Sequence, residues 1–160
     1  MHHYKNKILK HELKNIFKIL YQDSLKALKK KEVPIASLIF NPLKQKIISR
    51  SFNQNIEHNN PCSHAEILSI IKACKKLNTH RLDGHDLYCS VEPCLMCASV
   101  IYQSKIRRVY FALEDKKNGA LINNYKLSFK KNLNHKLDIY YGFEEKKFSE
   151  LLKNFFKKKR

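Results

Sequence analysis

Asp86-Leu87-Tyr88-Cys89-Ser90-Val91-Glu92-Pro93-Cys94-Leu95-Met96-Cys97 decides how this chain folds. Its first six residues read as a strand that ends at Glu92-Pro93. Proline is tolerated in the first turn of a helix, which places Cys94 and Cys97 in that turn. Spaced i and i+3, the two thiols share one helix face. The positive end of the helix dipole favours thiolate, the form that binds a metal.

A lone Cys-x-x-Cys pair is a weak sign, but His64-Ala65-Glu66 falls at a second expected helix start. One histidine and two cysteines make a three-ligand zinc set whose fourth position is open to water, the mark of a catalytic site. Zinc lowers the pKa of such a water to about 7. Glu66, two residues from His64, is placed to move its proton, and the pattern predicts a hydrolytic enzyme. A second reading competes for Glu66. Ser63-x-x-Glu66 is a capping box, in which each side chain satisfies the other's backbone amide. A carboxylate folded back onto Ser63 cannot also serve water at the metal. Cys62 is a possible fourth ligand, which would close the site and make it structural.

Outward from this centre, Leu9, Leu13, Ile16, Phe17, Leu20, Leu25 and Leu28 recur at helical spacing and predict a helix over 11–30. Val33-Pro34 is expected to end it. Strands are expected over 35–40 and 46–52, joined by an Asn41-Pro42 turn. The 53–61 segment is a polar loop that leads to His64. Ser63 is expected to open a helix reaching Leu77. Strands over 86–91, 107–113 and 137–141 alternate with helices over 94–104 and 144–156. A hairpin followed by strand-helix units predicts an α/β fold: three layers, α/β/α, around a mixed five-stranded sheet. Cys74, Cys89, Tyr102, Tyr110 and Phe111 are expected in the core, with Phe155 and Phe156 packing the last helix. The 114–136 stretch, rich in Lys and Asn, has no readable pattern.

The length of 160 residues predicts one domain over 1–160, with 43% hydrophobic residues to fill its core. Residues 1–8 and the terminal Lys157-Lys158-Lys159-Arg160 run are expected to be loosely ordered. No run approaches the ~18 apolar residues of a membrane span. Met1-His2-His3-Tyr4-Lys5 lacks the apolar stretch of a signal peptide. Five cysteines, two of them in a metal spacing, point to a reducing cytoplasm. The net charge of +18 suggests a polyanionic partner, RNA or DNA ahead of membrane. Yet 27 of the 32 basic residues are Lys, amid abundant Asn and Ile. Coding by an A/T-rich genome produces the same excess, and charge alone leaves both readings open.

His-x-Glu with Pro-Cys-x-x-Cys is the signature of zinc-dependent base deaminases. The two motifs resemble the cytidine deaminase superfamily. Lys31-Glu32-Val33-Pro34-Ile35, Phe52-Asn53, Leu87-Tyr88 with Glu92-Pro93-Cys94, and Arg108-Val109-Tyr110-Phe111 with Asp115-Lys116-Lys117 narrow the likeness. They resemble the bacterial tRNA-specific adenosine deaminases of the TadA type, over most of residues 12–156. That resemblance implies a cytidine deaminase-like fold, a homodimer, and conversion of a tRNA wobble adenosine to inosine. It implies Zn2+ on His64, Cys94 and Cys97, and Glu66 as the group that carries a proton to the purine ring. It places Asn53, the backbone at Ala65 and Asp115 against the nucleotide of the tRNA anticodon loop. The same zinc site on a free base or nucleoside (guanine, cytosine or cytidine) is the alternative. Ala36 and Ser99 stand where that family often has glycine, near elements expected to border the pocket. Asn118-Gly119-Ala120-Leu121-Ile122 replaces smaller residues, which is expected to reshape an RNA-facing loop.

Overall fold

The strand β3 (Asp86–Val91) is buried along its whole length. It can be so because the sheet is covered on both faces. A computed structural model describes residues 7–130 and 132–158. The element order is α1 (Lys7–Lys29), β1 (Ala36–Asn41), β2 (Lys46–Phe52), α2 (Ala65–Leu77), β3, α3 (Leu95–Gln103), β4 (Arg108–Leu113), β5 (Asp138–Tyr141) and α4 (Glu145–Lys157). One turn of 3-10 helix, Leu127–Phe129, lies between β4 and β5. The sheet order is β2-β1-β3-β4-β5. β1 pairs antiparallel with β2 and β3, while β3-β4 and β4-β5 are parallel. This is the expected mixed five-stranded sheet in an α/β/α sandwich.

Strand alternation sorts the core into two layers. Ile39, Leu87, Cys89, Val109 and Phe111 face one side and pack with Ile70 and Ala73 of α2 and Ala98 and Ile101 of α3. Leu38, Phe40, Tyr88 and Tyr110 face the other, with Phe17 and Leu20 of α1 and Phe148 of α4. Tyr88, Tyr110 and Tyr140 hold the same register on three adjacent strands and stack at 4.4 and 4.8 Å. These aromatic rings serve packing, as expected of Tyr110 and Phe111. Phe156 departs from expectation: Phe155 is buried, but Phe156 is half exposed, being one residue round the helix from the packed face.

Helix α1 also stops earlier than proline would stop it. Lys31 takes a left-handed conformation, with φ at 63°. The Glu32 amide donates to the Ala27 carbonyl and the Lys31 amide to that of Leu28. This is a Schellman closure, built without glycine. Residues 1–6, 159 and 160, expected to be loosely ordered, lie outside the described residues, whereas Lys7 and Ile8 belong to α1 and Lys157 to α4. No helix among the described residues is long and apolar enough to cross a membrane.

Candidate active site

His64 and Cys94 each occupy the N-cap of a helix, α2 and α3 respectively. Both helices therefore begin one residue later than their sequences suggest. Pro93 precedes the cap rather than opening the first turn. Cys97 stays in that first turn and is fully buried. The two chain entries bring His64, Cys94 and Cys97 into one cluster. His64 Nδ1 lies 3.7 Å from Cys94 Sγ and 3.5 Å from Cys97 Sγ. A tetrahedral ion with Zn–S near 2.3 Å and Zn–N near 2.0 Å separates sulfur from nitrogen by roughly 3.6 Å. The donor set and its spacing fit zinc. Cys62 is exposed and is not a member of this cluster.

The capping box does not form. Ser63 is buried, but its hydroxyl pairs with His58 Nδ1 at 3.1 Å, and α2 has no side-chain bond at its cap residue. The cause lies twelve residues upstream. Asn53 Oδ1 accepts the Ala65 N–H at 2.8 Å, which moves the helix start past Ser63. Glu66 then holds the second helical position, not the third, and the reciprocal bond is out of register.

The Glu66 carboxyl is buried, and its Oε2 is sealed from solvent without a hydrogen-bond partner. Burial pushes it up to about 7, against the charge of His64 and hydrogen bonding from its own amide and Cys97. An acidic oxygen left unpaired beside three metal-type donors is a costly arrangement for stability alone. Hydrogen bonds from Cys97 and His64 bring the Cys94 thiol down to about 4. The Cys97 thiol is pushed up, first by Cys94 and then by burial. His64 is raised, chiefly by its bond to Cys94.

The remaining candidates fall in two loops. Asn53 is buried, and its Oδ1 is committed to the α2 start, as is the Ala65 amide. Replacing Asn53 by alanine strips that amide of its acceptor. The expected cost is about 1 kcal/mol, seen by calorimetry as a fall in Tm of about 3 °C. Asp115 turns inward on its own loop, with Oδ1 accepting the amides of Lys117 and Asn118. Two residues escaped attention in the sequence except as parts of a resemblance. Glu32 Oε1 accepts the amides of Ile56 and Glu57 and so pins the loop before His64. Glu92 does the same for 115–123. The sign was a lone carboxylate bordering each motif, in stretches otherwise destined for the interior.

The stretch expected to reshape an RNA-facing loop sends its bulk inward. Ala120 and Leu121 are fully buried in the α2-α3 side of the core, with Ile122 packed against it. Ala36 lies in the α1-side core, and Ser99 is exposed on α3 with its hydroxyl bonded to the Leu95 carbonyl.

The sequence and the fold both match known deaminases. The family model of MafB19-like deaminases matches residues 11–160. The tRNA-specific adenosine deaminase of Rickettsia bellii (strain RML369-C) is 39% identical, the match spanning 82% of this chain and 91% of that protein. That of Aquifex aeolicus (strain VF5) is also 39% identical, over 89% of this chain and 93% of that protein. A structure from studies of deaminases that edit A to I at the wobble position of transfer RNA superposes with a TM-score of 0.81. It is 34% identical and covers 85% of this chain and 97% of its own. A guanine deaminase from Nitrosomonas europaea superposes with a TM-score of 0.75 at 19% identity, over 97% of this chain and 95% of its own, a likeness of fold alone. The chain belongs to the MafB19-like deaminase family, alongside the bacterial tRNA-specific adenosine deaminases.

Proposed function

We propose that this protein deaminates adenosine to inosine at the wobble position of tRNA, by hydrolysis and with zinc. The observation that carries this reading is the buried, unpaired Oε2 of Glu66 beside the His64-Cys94-Cys97 cluster. Water adds to the purine carbon that bears the amino group, and ammonia leaves, so one C–O bond forms as one C–N bond breaks. Zinc, when bound, supplies Lewis acidity that makes water nucleophilic near neutral pH. His64, Cys94 and Cys97 would hold it. Glu66 takes the proton from the attacking water at Oε2 and passes it to the purine ring nitrogen. It then serves as the acid that helps ammonia depart.

Asn53 and the backbone at Ala65 border this site, and Asp115, on the loop bridged to Cys94, would contact the nucleotide or its flank. An anticodon loop is already single-stranded, so turning a base out toward this site costs little. The basic surface would hold the phosphates. We place the reaction in the cytoplasm and assign the working form as a homodimer, on the resemblance. Kinetics at increasing salt test the RNA half of the reading. With tRNA, KM is expected to rise steeply with salt as phosphate contacts are screened. Salt-independent turnover of free guanine or cytidine, without tRNA, would replace it with the free-base reading.

A further inference from the structure

Glu92 is a buried carboxylate that takes part in none of the ion pairs among the described residues. Only N–H groups satisfy it. Its Oε1 accepts the amides of Leu121, Ile122 and Asn123 at 3.1, 2.8 and 3.2 Å. Its Oε2 accepts the Asp115 amide at 3.2 Å and the side-chain amide of Asn123. Successive backbone amides converging on one point form an anion nest. Here the chain's own carboxylate fills it.

The nest stands against the metal-ligand turn. Glu92 precedes Pro93, whose carbonyl accepts the Ala120 amide at 2.9 Å. Cys94 and Gly119 form a β-bridge. A Cβ on Gly119 would overlap the Glu92 carboxylate and the Asp115 carbonyl, so the closeness of the two segments depends on glycine. We infer that Glu92 is a positioning residue that locks the 115–123 loop to the turn bearing Cys94, so that the loop meets the target nucleotide in fixed register with the metal. The pocket half of this inference rests on the deaminase reading. The clamp itself does not.

Four of the five donors are backbone amides that cannot turn, and they lie on both carboxylate oxygens, so the NH2 of a glutamine would face at least one N–H group. Glu92→Gln in the full-length, zinc-loaded protein tests this. Amide hydrogen exchange at Leu121, Ile122 and Asn123 is expected to quicken by about tenfold or more, as charge-assisted bonds are lost. Zinc content should stay at the wild-type level. KM for a tRNA with a wobble adenosine should rise about tenfold, with kcat changed by less than about threefold. Mere loss of folded protein would lower kcat and zinc content together and spare KM. Wild-type exchange in the variant overturns the clamp, and quickened exchange with an unchanged KM overturns the positioning role. If the variant does not fold, the wild type decides. Its 121–123 amides must exchange far more slowly than that of Lys116, and equal rates sink the proposal. A wild-type protein that never deaminates tRNA removes the function and the pocket half, while exchange still judges the clamp.

Discussion

Replacing Glu66 by glutamine is expected to lower the rate of deamination by about a thousandfold while the protein keeps its fold and its zinc. Glutamine matches glutamate in shape but cannot take a proton from water. Glu66 is not among the cluster's donors, so zinc content should be unchanged. It makes no capping bond to Ser63, whose hydroxyl is bound to His58. The helix start, supported by Asn53, should therefore survive. Stability should move by less than about 1 kcal/mol, since the substitution only neutralises a buried group with one unpaired oxygen. Single-turnover formation of inosine, with metal analysis of the same sample, measures both quantities. A normal rate would refute the role of Glu66. Lost zinc would make it a ligand instead.

Cys97→Ser carries the second large effect, on zinc retention and on stability together. Serine is not ionised at neutral pH and makes a poor partner for zinc, and Cys97 has no exposed surface through which the cluster can rearrange. The variant is expected to lose zinc on dialysis that leaves the wild type loaded, and to lose at least about a thousandfold in activity. Ligand linkage also predicts that chelating the wild type lowers its Tm, since zinc at about a thousand times its Kd adds about 4 kcal/mol. The same chelator should leave the Tm of Cys97→Ser almost unmoved. Cys62→Ser is the control. Its thiol lies at the surface outside the cluster, so metal content, Tm and activity should match the wild type. If Cys97→Ser binds zinc like the wild type, or Cys62→Ser releases it, the three-ligand assignment fails.

Strong local signals predicted the elements well. Strands at 46–52 and 86–91 fall where the Asn41-Pro42 turn and the Glu92-Pro93 end put them, and the mixed sheet follows from their order with the helices. What escaped was set by partners distant in sequence. The start of α2 is displaced by Asn53, a residue no local pattern connects to Ala65. A capping box reads well in Ser63-x-x-Glu66 because the local rule cannot see that bond. The end of α1 relies on Lys31 in a conformation that glycine would normally announce. The 114–136 stretch was opaque for a similar reason. Its order comes from Glu92 and from Leu121 entering the core, and neither has a period to detect. The metal motifs were readable because their chemistry demands particular residue types at short spacing. The surrounding contacts for a nucleotide impose no such spacing, and Asn53 and Asp115 entered through resemblance alone.

The central claim is that Glu66 and the His64-Cys94-Cys97 cluster act on adenosine within tRNA. Zinc-loaded protein incubated with a tRNA carrying a wobble adenosine, followed by sequencing of the product, tests it most directly. The account predicts inosine at the wobble position, absent with Glu66→Gln and absent at other adenosines of the same tRNA. An unchanged tRNA, in a sample whose protein is folded and zinc-loaded and converts free guanine to xanthine, would contradict it.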